Sequence, residues 1–381
     1  MINLNSKLPT VGTTIFSLMS KMAADYNAIN LSQGFPDFMP DARLIECIND
    51  AMKSGHNQYA PMAGNIRLRE HIVEKVERLY KANYNPETEI TITAGGTQAI
   101  FTALSAVIHP GDEVIVFEPA YDCYAPAIKL LGGLVKPFEL TAPDYKIDWE
   151  MVKKLFTAKT KLIILNTPHN PTGTILTPKD IAALIKLTKN TDILILSDEV
   201  YEHIIFDNEE HQSIARYPEL FERSFIVASF GKLLHATGWK IGYCMAPERL
   251  MNEFRKIHQF NVFSVNTPMQ AGIANYLNQE NIYPEISVFF QKKRDFFRDL
   301  IAQTRFKLLP CKGSYFQCVT FKDISNEKDL DFAERLVKDF GVAAIPVSAF
   351  YSKNPDEGTL RFCFAKKEET LQKAFEKLIK V

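Results

Sequence analysis

Phe225-Ile226-Val227-Ala228-Ser229-Phe230-Gly231-Lys232 is an apolar run that breaks into a hydroxyl, a glycine and a lysine. A short continuous apolar run fits a strand buried on both faces, and open α/β sheets gather their ligands at the carboxyl ends of such strands. The stretch therefore predicts a strand that delivers Ser229 and Lys232 to a cleft. A second small-residue turn, Thr237-Gly238-Trp239-Lys240, places another lysine close behind. Burial disfavours the ammonium form, so a lysine held in a cleft gives up its proton more readily than a solvated one. The neutral amine can then add to an aldehyde.

Two other stretches repeat the design. Asp192-Ile193-Leu194-Ile195-Leu196-Ser197 opens into Asp198-Glu199-Val200-Tyr201, so an acid and a phenol follow a buried strand. A carboxylate there is costly unless a cation, such as a protonated ring nitrogen, accompanies it. Lys161-Leu162-Ile163-Ile164-Leu165 runs into Asn166-Thr167-Pro168-His169-Asn170-Pro171-Thr172-Gly173, whose prolines, asparagines and glycine force a turn that presents Asn170.

Earlier in the chain, Glu89-Ile90-Thr91-Ile92-Thr93 reads as a strand, Ala94-Gly95-Gly96-Thr97-Gln98 as a tight turn, and residues 99–108 as a helix stopped by His109-Pro110-Gly111. Glycines ahead of a helix leave backbone N–H groups free, and the helix dipole favours an anion at that end. A phosphate fits there, with Ser229 and Lys240 adding a hydroxyl and a cation. An amine, an acid for a ring nitrogen and a phosphate cradle together describe pyridoxal 5′-phosphate.

With these motifs in order, the chain resembles the class I/II aminotransferases of pyridoxal-phosphate fold type I, in the branch of methionine aminotransferases and kynurenine/glutamine transaminases. The resemblance runs from Leu31-Ser32-Gln33-Gly34-Phe35-Pro36-Asp37-Phe38 to Leu360-Arg361-Phe362-Cys363-Phe364. It implies that Lys232 is the Schiff-base lysine, that Asp198 partners the pyridine nitrogen, and that Tyr201 and Asn170 reach the ring's phenolic oxygen. Gly96, Thr97, Gln98, Ser229 and Lys240 then surround the phosphate, and Tyr121 stacks on the ring. Arg361 holds the substrate's α-carboxylate, with Gly34 and Asn170 also at the substrate. Tyr59 reaches the phosphate of a neighbouring subunit, which implies a homodimer with shared sites. Two positions depart from the family pattern. Lys240 stands where many members carry arginine, giving a point charge in place of a bidentate fork, and Gly231 stands where serine is common.

The resemblance also implies transfer of an amino group from an amino acid to a 2-oxo acid. No second arginine for a dicarboxylate is identifiable, and Phe35, Tyr59, Tyr121 and residues 260–265 suggest an aromatic and apolar pocket, so neutral side chains are expected. Methionine leads, with aromatic amino acids, kynurenine and glutamine behind it. β-Elimination on cysteine conjugates is an alternative on the same residues, and a non-catalytic binding or regulatory protein is an alternative of another class. A penicillin-recognising acylase would need Lys-Thr-Gly and an NAD enzyme Gly-x-Gly-x-x-Gly, and the sequence has neither.

Composition agrees. Lys plus Arg number 44 against 45 Asp plus Glu, so no global field attracts nucleic acid or an anionic membrane. No apolar run approaches the roughly 18 residues of a spanning helix, and no signal segment is evident, so the expectation is cytoplasmic. The six cysteines form no Cys-x-x-Cys pair and the eight histidines, His203 and His211 among them, show no ligand spacing. Reduced thiols and no metal are expected.

The 381 residues suffice for a large and a small domain, and no internal period repeats. Apolar strands at 114–117, 162–165, 193–196 and 225–228 alternate with helical stretches, the clearest opening at Thr177-Pro178-Lys179-Asp180 with a cap and an N1 proline. This predicts an α/β fold with a mostly parallel central sheet flanked by helices, plus a smaller α+β domain. The expected division is an N-terminal segment at 1–40 that joins the small domain, a large cofactor-binding domain at 41–275 and a small domain at 276–381. A long charged helix is expected near 291–303.

Overall fold

Alternate residues of the central strands point to opposite cores. Ile115, Ile163, Ile195 and Ile226 join one cluster of buried side chains, while Val114, Val116, Leu162, Ile164, Leu194, Leu196, Phe225 and Val227 join another. Both faces are covered, which is why these strands read as unbroken apolar runs. The computed structural model describes residues 5–278, 282–353 and 355–381.

The central sheet has seven strands: β1 (Ile90–Thr93), β2 (Glu113–Glu118), β3 (Leu134–Glu139), β4 (Thr160–Asn166), β5 (Leu194–Asp198), β6 (Ser224–Ser229) and β7 (Gly242–Met245). Their order across the sheet is β1-β7-β6-β5-β4-β2-β3. Only β7 runs against the rest, pairing antiparallel with both β6 and β1. The parallel pairs β4–β5 and β5–β6 set Asn166 beside Asp198 and Asp198 beside Val227, so the polar residues that end these strands emerge along one edge.

A second, four-stranded antiparallel sheet orders Ile345–Pro346, Thr359–Cys363, Phe316–Thr320 and Lys307–Leu308. The N-terminal strand Ile29–Asn30 pairs with Val342–Ala343, which ties the start of the chain to this C-terminal region.

Local chemistry sets the helix ends. Thr177 and Asp180 form a capping box around Pro178 at the start of helix Pro178–Thr188. Gly341 closes helix Asp329–Phe340 at φ 68°, a left-handed position that glycine takes without strain. Two expected boundaries shift. The helix after β1 begins at Gly96, not residue 99, because the glycine pair itself supplies its first turn. The long charged helix spans Ile282–Ile301, starting a full two turns before the expected 291 because Ile282, Tyr283, Ile286 and Phe290 continue its buried stripe. All six cysteines are free thiols, and no helix of the described residues is long and apolar enough to cross a membrane.

Candidate active site

The ends of β1, β4, β5 and β6 open into one cavity of about 310 Å³. Its lining includes Gly34, Gly96, Thr97, Tyr121, Asn170, Asp198, Tyr201, Ser229, Lys232, Lys240 and Arg361, so most of the residues singled out in the sequence meet here. Two do not. Gln98 turns its side chain back toward its own helix, accepting from Ala94 N at 3.0 Å and donating to Thr102 Oγ1 at 2.6 Å. Tyr59 is 81% exposed, with its ring edge-on to Phe263, and lies outside the cavity of its own chain.

At one end of the cavity, helix Gly96–Val107 starts without a side-chain cap. Gly95 precedes it at φ 82°, and a Cβ there would lie 3.2 Å from Lys240 Nζ. Free N–H groups at a helix start, an ammonium folded over the glycine, and the nearby Ser229 and Thr97 make an anion cradle. Deeper in, Asp198 is 3% exposed and accepts from Tyr124 Oη at 2.5 Å. Burial raises its pKa to about 6, with the Tyr124 hydroxyl pulling the other way. A carboxyl so short of donors has room for a cationic N–H, so the cradle and the acid fit the two ends of pyridoxal phosphate.

Lys232 extends from the helical turn that follows β6. Its Nζ donates to Gly34 O at 3.3 Å and lies 5.7 Å and 5.6 Å from the centres of the Tyr201 and Tyr315 rings. Burial lowers its pKa to about 8, so a substantial neutral fraction exists near physiological pH. Tyr201 is raised well above the ordinary phenol range by burial, and Tyr121 is pushed up to about 12. Both stay protonated as hydrogen-bond donors.

At the other end, Arg361 projects from strand Thr359–Cys363 and is 1% exposed. One Nη donates to Asn170 Oδ1 at 2.7 Å and the other to Ser32 O at 2.8 Å, while the guanidinium lies 3.9 Å from the centre of the Phe316 ring. Its Nε has no partner, and no carboxylate of the described residues pairs with it. A buried cation left without an anion is costly, so the site is built to receive a carboxylate. Hydrogen bonds link this end to the acid: Asn170 N donates to Asn166 Oδ1 at 2.8 Å, and Asn166 Nδ2 donates to Asp198 O at 2.9 Å.

Several lining residues went unmarked in the sequence: Phe16, Gln33, Asp122, Asn166 and Phe316. Tyr124, the donor to Asp198, also went unmarked. Tyr124 and Asp122 share the short segment 118–124 with Tyr121, Asn166 opens the turn 166–173, and Gln33 precedes Gly34, so each of these carried a signal, whereas Phe16 and Phe316 carried none. Among the described residues no group of three or more His, Cys, Asp or Glu side chains could hold a metal ion.

The geometry agrees with comparison to known proteins. The family model described as aminotransferase class I and II matches residues 26–378. Methionine aminotransferase of Escherichia coli is 46% identical over 374 residues, covering 98% of this chain and 97% of that protein. Human kynurenine–oxoglutarate transaminase 1 is 32% identical, covering 94% of each. Among solved structures, an Escherichia coli protein described as having a methionine aminotransferase function superposes with a TM-score of 0.98 at 45% identity, covering 100% of both chains. A Thermus thermophilus aspartate aminotransferase mutant superposes at 0.91 and 28% identity, also over 100% of both.

Proposed function

The chain belongs to the class I and II aminotransferases, and we propose that it moves the amino group of a neutral amino acid, methionine foremost and aromatic amino acids beside it, to a 2-oxo acid. It is a fold type I enzyme that depends on pyridoxal 5′-phosphate. When bound, that cofactor supplies an aldehyde that condenses with amines and a ring that accepts electrons from the adjoining carbon.

The observation that carries the reading is the sharing of one cavity by Lys232, Asp198 and an Arg361 that lacks an anion. Arg361 would take the α-carboxylate, held square by Asn170 and Ser32 behind it. Asp198 would keep the ring nitrogen protonated, and the helix start with Lys240, Ser229 and Thr97 would hold the phosphate. Lys232, poised near neutrality, would take the proton from the substrate's α-carbon and return it two bonds away, to the carbon that carried the cofactor's aldehyde. Anchoring the substrate at Arg361 and the cofactor at its phosphate fixes the α-carbon over Lys232, the positional part of the rate gain.

The aromatic walls Phe16, Tyr121 and Phe316 favour apolar or aryl side chains, kynurenine's included, the donor named for the human relative. A panel of amino donors against several 2-oxo acids, read as kcat/KM, tests this: methionine and aromatic donors should exceed aspartate by at least about tenfold. Aspartate as best donor would overturn it.

The same reading includes a homodimer with shared sites, supported by the outward Tyr59, the exposed Phe263 that its ring meets and the exposed Phe260. Mixing inactive Tyr59 and Lys232 variants should restore one intact site per heterodimer. A division at 1–40, 41–275 and 276–381, supported by the separation of the seven-stranded sheet from the four-stranded one and by the pairing of Ile29–Asn30 with Val342–Ala343, and a cytoplasmic location complete the proposal.

A further inference from the structure

The cavity lining contains three cations, Lys232, Lys240 and Arg361, and two acids, Asp122 and Asp198. Four of these five have work under the aminotransferase reading. Arg361 takes the α-carboxylate, Lys240 the phosphate, Lys232 the proton and Asp198 the ring nitrogen. No lining cation is left to meet a second carboxylate. The ionisable group left over is itself an acid.

Asp122 differs from Asp198 in every respect that decides availability. It is exposed at the solvent side of the cavity, whereas Asp198 is buried. Among the described residues no hydrogen bond from another side chain reaches its carboxylate, whereas Asp198 accepts from Tyr124 and from Val200 N. It follows Tyr121, whose ring lines the same wall, and partial burial in the cleft raises its pKa while the Arg361 guanidinium pulls the other way. A substrate whose α-carboxylate sits on Arg361 shares the cavity with both Tyr121 and Asp122.

We propose that Asp122 is a specificity-determining residue that rejects side-chain carboxylates, in the amino donor and in the 2-oxo acid acceptor alike. A like charge met in a partly desolvated cleft is a repulsive element, and selectivity between near-isosteres is gained as much by repulsion as by attraction. An amide of the same shape meets no repulsion and finds an acceptor in Asp122. The two half-reactions use one site, so the same residue filters both substrates. The inference rests on the aminotransferase reading and adds the side-chain charge it selects against, together with the residue responsible.

Glutamine and glutamate differ only in amide against carboxylate, which makes them the probe pair. The holoenzyme and its Asp122→Asn and Asp122→Glu variants would be assayed with both donors and a neutral 2-oxo acid, then with methionine as donor and 2-oxoglutarate or its amide, 2-oxoglutaramate, as acceptor. The glutamine-to-glutamate ratio of kcat/KM should fall about tenfold in Asp122→Asn, mainly through a gain with glutamate, and return toward the parent value in Asp122→Glu. The acceptor ratio should move in the same direction. A ratio unmoved within twofold, or an equal loss with both donors, would overturn the proposal, the second result marking Asp122 as structural. Poor turnover of methionine by the parent enzyme would instead count against the donor assignment, and the glutamine-to-glutamate ratio would still decide the role of Asp122.

Discussion

The end of β5 and the turn after it carry three buried acids, Asp198, Glu199 and Glu202, of which two have opposite fates: Asp198 faces the cavity and Glu202 faces away from it. Glu202 accepts from Lys75 Nζ at 2.7 Å through both oxygens, from Tyr80 Oη at 2.6 Å and from Tyr243 Oη at 2.8 Å. Burial would raise its pKa, but Lys75 and His203 overcome that and hold it well below the usual carboxylate range. Asp198 has one hydroxyl and a long backbone contact, and its pKa rises to about 6. The lysines mirror the acids: Lys75 is locked onto Glu202, whereas Lys232 has only a carbonyl at 3.3 Å. A charge meant to hold the fold is surrounded with partners, and a charge meant for chemistry is left short of them.

The largest effect should come from exchanging the two lysines' roles by deletion. Lys232→Ala should lose transamination of methionine by at least the about 10²- to 10⁴-fold that positioned proton transfer alone provides. Borohydride reduction of the parent holoenzyme should leave the cofactor on the peptide containing Lys232, and label on another lysine would break the comparison. Lys75→Met should act on the fold instead. Stranding the Glu202 carboxylate should cost about 3–5 kcal/mol in urea unfolding, most of it recovered by adding Glu202→Leu. Unchanged stability in the single variant would show that Glu202 does not depend on its ion pair.

Next in size, Asp198→Asn should fold and bind cofactor yet lower kcat by about 10²-fold or more, because a preorganised charge at a developing ring charge is among the larger catalytic terms. Near-parent turnover would make Asp198 as structural as Glu202.

These acids also show what the sequence could reveal. Asp198, Asn170 and Lys232 were legible because each follows an apolar run that can only be a strand buried on both faces, and parallel topology brings such ends together. Arg361 was legible only through family resemblance: it lies within a strand of the second sheet, where nothing local separates a clamp from a core residue. Lys75 sits among Leu68, Ile72 and Val76 on a helix whose pattern gives no hint that Glu202 waits opposite, 127 residues away. Phe16 and Phe316 reach the cavity from distant elements, and Gln98 turns away from it because its amide caps the strand-to-helix turn. Topology follows from periodicity, but side-chain partnerships across elements depend on packing that a single sequence does not display.

The smallest expected effect separates the two acids by sign. With the cofactor removed, Asp198 titrates near 6 in the folded chain against 3.8 when unfolded, so between those values the folded state holds the extra proton. Stability from this group falls as pH rises from about 4 to about 6. Asp198→Asn removes that loss, so the variant should gain on the parent as pH climbs through this window. Glu202 runs the other way. Its folded pKa lies below the unfolded 4.5, so its contribution is complete above that value and disappears as pH falls through the folded pKa. Glu202→Gln should therefore show its full deficit near pH 7 and a shrinking one in acid. Urea midpoints of the cofactor-free parent and both variants, taken from about pH 2 to pH 8, would display two difference curves of opposite slope, the Asp198→Asn curve changing between about 4 and 6 and the Glu202→Gln curve changing only below 4.5. Parallel curves would mean that Asp198 finds partners when the site is empty, and the contrast between the two acids would fail.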